Sequence, residues 1–425
     1  MESEMPCDQK CDQPKPIRWR PLDEPAMHKN KVTLVIPAAE EVTAADLFDE
    51  LKPIFYSMKI FGLFPLKKQS PGESTVRCKI SLAYSVTFYV AMSVYSYHVC
   101  MERMQFIRHS EGSFDELMYS VIHFFYVIPH FYFIPCHWKE VIKVGNYFSH
   151  WSEFQKQYLS ATGTHLYLRQ DRWAKISVVL TPILALLSVV TEYFLSSANQ
   201  KYWELGFYWY ILTVIFLHVV WWWFVCSSLR GAMLGISENF FKIYNLFVHE
   251  RLATLVAQYT DLWVSLSRLT RETGVFMCYT YGHMCVLSFS VVTLSLYGTL
   301  SSVHDGVYMR HLVLAMSVCF IGGIMYVISN VAHHAAIEVG PEFSEKLSHL
   351  SSADKQVRRE LKLFTLATTT NSSEINLGGY VRIDRGFLLR FICTMVTYLV
   401  VLLQFRLGLL SISTSNITTV TTAVL

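Results

Sequence analysis

GFLLRFICTMVTYLVVLLQFRLGLL, residues 386–410, is an almost unbroken apolar run near the carboxyl end of the chain. At about 1.5 Å per residue, a helix of that length crosses the roughly 30 Å hydrocarbon core of a bilayer. Reading back from it, six further runs of the same kind lie near 79–100, 117–138, 175–196, 207–229, 275–300 and 311–336. The expected fold is therefore an all-α membrane protein of seven transmembrane helices. An odd number of crossings puts the two termini on opposite sides.

Lysine and arginine decide which side is which. The segment before the first run and the second, fourth and sixth loops hold 28 of the 36. The opposite side holds four, Arg103, Arg108, Lys201 and Arg310, and the remaining four sit at or inside span ends. The positive-inside rule then predicts a cytosolic amino terminus and an extracellular carboxyl terminus, the inverse of a G-protein-coupled receptor.

Hydrophobic residues make up 52% of the 425-residue chain and charged ones 16%, below the roughly 25% of soluble domains. A net charge of +3 is too small to suggest a nucleic-acid partner. Residues 1–50 are polar and proline-bearing, without the apolar centre of a signal peptide, and read as a disordered cytosolic tail. Most of the ten cysteines fall within or beside spans, so no disulfide framework is implied. Cys7 and Cys11 lack the further ligands that a zinc site needs, and no metal or cofactor is expected.

The long connections all lie on the basic side. From Arg230 to Gly274 apolar residues recur at helical spacing, which predicts that spans four and five continue into the cytosol as a helical hairpin. Residues 139–174 and 343–366 show the same amphipathic pattern. The three either bundle into a cytosolic base or lie separately on the inner membrane surface. Gly378 and Gly379 suit a sharp turn before the last span.

No nucleotide loop, nucleophile elbow or metal-binding histidine pair stands out, so the chain does not read as an enzyme. His123, His130 and His137 recur every seven residues, on one helical face with about 20° of drift per step. Steps of about 10 Å are too long for one shared metal. A polar stripe facing the bundle interior and direct ligand contact are both open, with His123, nearest the outside, the best ligand candidate. Glu192, at the outer end of span three, either serves a ligand or ion or reaches interfacial water. Tyr193, Tyr208, Tyr210 and Thr213 share its layer and could line a pocket with it. Trp221, Trp222 and Trp223 read as an interfacial aromatic belt.

Within the opening stretch, Thr397-Tyr398-Leu399-Val400-Val401-Leu402-Leu403-Gln404-Phe405 carries one amide in an apolar helix. On physics alone such a glutamine bonds a neighbouring helix. The pattern Thr-Tyr, five apolar residues, Gln-Phe, in the last of seven inverted spans, resembles the signature of the insect gustatory receptor family, with similarity expected across residues 50–410. Pro53-Ile54-Phe55, Gly62-Leu63-Phe64-Pro65-Leu66, Gly379-Tyr380 and Ile383-Asp384-Arg385 are similar to its carbon dioxide receptor branch. Sugar and bitter receptors are the alternatives within the family, and a metabotropic seven-span receptor is the alternative outside it.

The resemblance implies a tetrameric, ligand-gated, non-selective cation channel in the plasma membrane of sensory neurons, gated by carbon dioxide, a volatile or a tastant. It would be a homotetramer or a heterotetramer with sister subunits, embedded in membrane lipid. Carried onto this chain, Gln404 and Val401 would form the gate, with Thr397 and Tyr398 packing below them and Phe405 completing the signature. The implied division is a tail (1–50), a ligand-binding bundle (51–336), a cytosolic anchor segment (337–385), a pore-lining span (386–410) and an extracellular tail (411–425). Asn416 is then an external glycosylation site and Asn371 a cytosolic, unmodified one. Arg406 is expected to turn toward lipid headgroups or a neighbouring chain, away from permeant cations.

Overall fold

A computed structural model describes residues 46–422, apart from 65, 68–75, 78, 110–113, 197–200, 247–250 and 302–307. Side chains are described as far as Phe405. Two short helices, α1 (Leu47–Glu50) and α2 (Lys52–Ile60), precede a small antiparallel ladder of β1 (Leu66–Lys67) and β2 (Val76–Arg77). The long helices follow: α3 (Lys79–His109), α4 (Phe114–Thr162), α5 (Asp171–Ser196), α6 (Tyr202–Leu246), α7 (Leu252–Phe276), α8 (Cys278–Ser301) and α9 (Tyr308–Ile337). A π-helical turn at Glu338–Glu342 leads into α10 (Phe343–Ser348) and α11 (Lys355–Thr370). A hairpin of β3 (Asn376–Leu377) and β4 (Val381–Arg382) then delivers the chain to α12 (Arg385–Thr422).

Among the described residues, five helical stretches are long and apolar enough to cross a membrane: Asp171–Leu195, Tyr202–Asn245, Cys278–Leu300, Leu312–Ser348 and Arg385–Phe405. These correspond to five of the seven expected spans. The other two expected spans form α3 and α4, which are long enough but less apolar. Serines and tyrosines interrupt α3, and α4 carries the three stripe histidines. The carboxyl-terminal tail continues α12 as helix to Thr422.

Local chemistry sets the ends of several elements. Asp354 caps α11 by accepting the Gln356 amide at 2.8 Å, and Asp384 caps α12 by accepting that of Phe387 at 2.6 Å. Gly378 and Gly379 both have positive φ, 58° and 86°, which fits them to the hairpin turn. Between α7 and α8 the helix is interrupted at Met277, and Glu140 of α4 caps the new start. Its carboxylate accepts the Tyr279 amide at 2.7 Å and the Thr280 hydroxyl at 2.5 Å.

α4 and α6 run on without interruption well past the expected spans, as the amphipathic patterns predict. Their extensions pack with α7, α10 and α11 into a base. Trp151, Tyr259, Trp263, Phe343 and Phe364 fill its centre, and the Trp263 indole donates to the Val339 carbonyl at 2.8 Å. This packing favours the bundled base over three helices lying separately on a surface. The tryptophan belt needs correction. Trp221 and Trp222 are buried, Trp222 donating to the Ile328 carbonyl at 3.0 Å, and only Trp223 is exposed. Three consecutive residues are about 100° apart on a helix, so they cannot all face lipid.

Candidate functional site

Each stripe histidine of α4 is 1% exposed and meets a different polar partner. His137 pairs with His218 of α6, whose Nδ1 lies 2.6 Å from the Val214 carbonyl. His130 sits between Ser93 of α3 (2.9 Å) and the Tyr210 hydroxyl of α6 (3.3 Å), with Tyr89 stacked on its ring. His123 approaches Glu192 of α5, Nε2 to Oε1 3.2 Å, and meets the Tyr208 ring edge to face at 5.1 Å. A seven-residue repeat on a straight helix presents one face, and here that face is turned into the bundle. Buried polar groups need partners, which explains why neighbouring helices supply one at each level.

A cavity of about 230 Å³ opens beside the His123–Glu192 pair. α5 contributes Leu187, Ser188, Thr191, Glu192 and Leu195, and α6 contributes Leu212. Tyr126 of α4 and Val313, Met316, Ser317 and Phe320 of α9 close the other walls. Its surface is mostly apolar with a few convergent polar groups, the usual make-up of a small-molecule site, and its volume lies below the roughly 300–1,000 Å³ of drug-sized pockets.

Of the expected ligand residues, the structure brings Glu192, His123 and Tyr208 together at or behind this cavity. Tyr210 is one level lower, on His130. Tyr193 points elsewhere, against Tyr202 with ring centroids 5.4 Å apart. Thr213 is buried and donates to the Trp209 carbonyl of its own helix at 2.7 Å. Sequence reasoning missed Tyr126 and all four α9 residues. Tyr126 lies three residues after His123 and so shares its face, which was a readable signal. The α9 residues gave none, since only the packing of α9 against α5 brings them near.

Along α12, Thr397 donates to the Cys393 carbonyl at 3.0 Å, and Tyr398 meets Phe289 of α8 edge to face at 5.7 Å. Val401, Gln404 and Phe405 are exposed, Phe405 to 68%. Arg406 and Asn416 lie outside the residues whose side chains are described. At its amino-terminal end α12 is tied to α9, Arg385 donating to Asn330 at 2.8 and 3.0 Å and lying 2.9 Å from His334.

The hairpin before α12 is clamped by three glycines. A side chain at Gly274 of α7 would collide with the backbone of Asn376, and one at Gly340 with Ser373. A Cβ on Gly378 would stand 2.6 Å from the Cys278 sulfur at the start of α8. α4 thus touches both regions, with His123 and Tyr126 at the cavity and Glu140 on the α8 start against which the hairpin rests.

Comparison with known proteins follows the same architecture. The chain is 31% identical over 366 residues to gustatory and odorant receptor 24 of Anopheles gambiae, covering 85% of this chain and 79% of that one. It is 28% identical over 407 residues to gustatory and odorant receptor 22 of the same species, covering 92% and 85%. Among solved structures, the insect olfactory receptor OR5 from Machilis hrabei in complex with eugenol aligns with a TM-score of 0.56 at 12% identity, over 84% of this chain and 98% of that one. With residues 51–408 matching the model of the 7tm chemosensory receptor family, this multi-pass membrane chain belongs to that family, with insect gustatory and odorant receptors as its relatives.

Proposed function

We propose that the chain is one subunit of a ligand-gated, non-selective cation channel that detects carbon dioxide or another small volatile at the plasma membrane of sensory neurons, and that it is not an enzyme. α3 and α4 cross the membrane with the five apolar helices, giving seven spans with the amino terminus cytosolic and the carboxyl terminus external. Four such subunits, this chain with or without sister subunits, surround a pore lined by α12. Residues 51–336 bind the ligand, 337–385 anchor the assembly in the cytosol, and 386–410 carry the gate at Val401 and Gln404.

The observation that carries this reading is the state of α12. Only 11% of its most apolar stretch is buried within the chain, and its single mid-helix amide is exposed beside Val401. An exposed amide on such a helix needs polar surroundings that lipid does not give, and a ring of such helices supplies both an apolar constriction that gates by dewetting and an amide ring that hydrates an ion. Ligand bound beside His123 and Glu192 favours whichever state it fits better, and α4 and the clamped hairpin carry that preference to α12. The eugenol complex of a structural neighbour supports a small-molecule ligand for the fold.

Excised-patch recording without nucleotides, from cells expressing the chain with sister subunits, tests the proposal. A cation current evoked by carbon dioxide or a volatile, and altered by Gln404→Ala, is expected. Responses confined to intact cells would replace the pore with metabotropic signalling. Glycosylation at Asn416 and its absence at Asn371 are expected from the orientation, and the reverse pattern would overturn it.

A further inference from the structure

We infer that the cavity beside His123, when it takes an organic ligand, selects small organic ammonium ions over ketones and esters, with Glu192 as the counter-ion. The inference rests on the chemoreceptor reading above and deepens it. It follows from the hydrogen-bonding state of the cavity wall. The Ser188 hydroxyl donates to the Leu184 carbonyl at 2.8 Å and that of Ser317 to the Val313 carbonyl at 3.1 Å, so both present only lone pairs to the cavity. Tyr126 also lines the cavity, and its hydroxyl can donate or accept. Thr191 can donate or accept.

An ionised carboxylate accepts only, at about four lone-pair positions, and His123 occupies one oxygen of Glu192. The remaining acceptors face a chamber of about 230 Å³ with leucine, valine, methionine and phenylalanine around it. A ligand that fits brings donors, a positive charge and a short apolar body. An alkylammonium has all three. A ketone brings only an acceptor oxygen, which the Thr191 and Tyr126 hydroxyls can meet but the lone pairs of Glu192, Ser188 and Ser317 cannot. An ammonium also adds charge attraction to Glu192 that a neutral ligand of the same bulk lacks.

The test uses n-butylamine, protonated at neutral pH as a lysine side chain is, against 1-butanol and butan-2-one of similar bulk. Melting temperature of the detergent-purified full chain and current from the channel are read for each. In the wild type, n-butylamine is expected to raise the melting temperature and to act at about tenfold lower concentration than butan-2-one, as loss of a charge-assisted hydrogen bond predicts. Glu192→Gln should raise the half-effective amine concentration about tenfold and that of 1-butanol by less than about threefold. Equal stabilisation of the wild-type chain by butan-2-one and n-butylamine would overturn the ligand class whatever the variant does. Amine stabilisation without current in any patch would keep the ligand class and withdraw the channel reading. Current evoked equally by butan-2-one and n-butylamine would do the opposite.

Discussion

α6 and α12 are both apolar and long enough to cross a bilayer, yet 72% of the most apolar stretch of α6 is buried inside the chain, against 11% for α12. Lipid is as apolar as leucine, so hydropathy alone does not choose which helices pack together. Large, shape-matched side chains and specific hydrogen bonds make that choice. Phe207, Trp221, Trp222 and Phe224 of α6 are each at most 1% exposed, whereas Leu389, Ile392, Val396, Val400 and Phe405 of α12 are all exposed. α6 is a core around which the chain folds. α12 leaves most of its apolar surface exposed.

The widest test of this contrast compares truncations on the two helices. Trp222→Ala opens a cavity and removes the indole's bond to the Ile328 carbonyl, and should cost about 3–5 kcal/mol, read as a large fall in melting temperature. Leu389→Ala on α12, where Leu389 is 63% exposed, should stay within about 0.5 kcal/mol. A comparable fall at Leu389 would show that α12 is packed as firmly as α6. A smaller effect is expected where the two kinds of region meet. Gly274→Ala drives a methyl into the Asn376 backbone and should cost about 1–3 kcal/mol while changing channel gating, because the hairpin that launches α12 must shift. Unchanged currents would uncouple the hairpin from α12.

The smallest effect concerns pH. Glu50 is buried on α1, with the Gln170 amide donating to it at 2.9 Å. Burial raises its pKa above the ordinary 4.5, with the amide opposing. A raised value means that the folded chain holds the proton more tightly. The stability contributed is therefore complete below the ordinary value and is lost as pH rises through the raised one. Melting temperatures should show this decline, and Glu50→Gln should flatten it. An unchanged slope in the variant would assign the titration to another group.

Much of the frame was legible because membranes impose it. Backbone groups in hydrocarbon must bond within their own helix, so long apolar runs become helices wherever they occur. The Gly378-Gly379 pair marked a turn through chemistry local to the chain, and the seven-residue histidine repeat identified a face. The site was only half legible. His123 and Glu192 stood out as ionisable groups in apolar helices, but Tyr193 and Thr213 were grouped with them by depth alone, and depth does not fix direction around a helix. Ser317 and Phe320 were invisible as site residues, because nothing within α9 says that it lies across from α5.

The amino-acid sequence by itself determined that the chain spans a membrane, where its helices run, which connections carry the positive charge and which family signature its last span bears. These follow from transfer of groups between water and lipid, a property of each segment alone. Tertiary structure alone decided that Trp221 and Trp222 of α6 are core, that Glu140 caps a break in a neighbouring helix, that a cavity lies beside His123 and Glu192, and that α12 remains largely exposed. Those depend on which surfaces meet, and in an apolar solvent that is settled by shape and hydrogen bonding between distant segments.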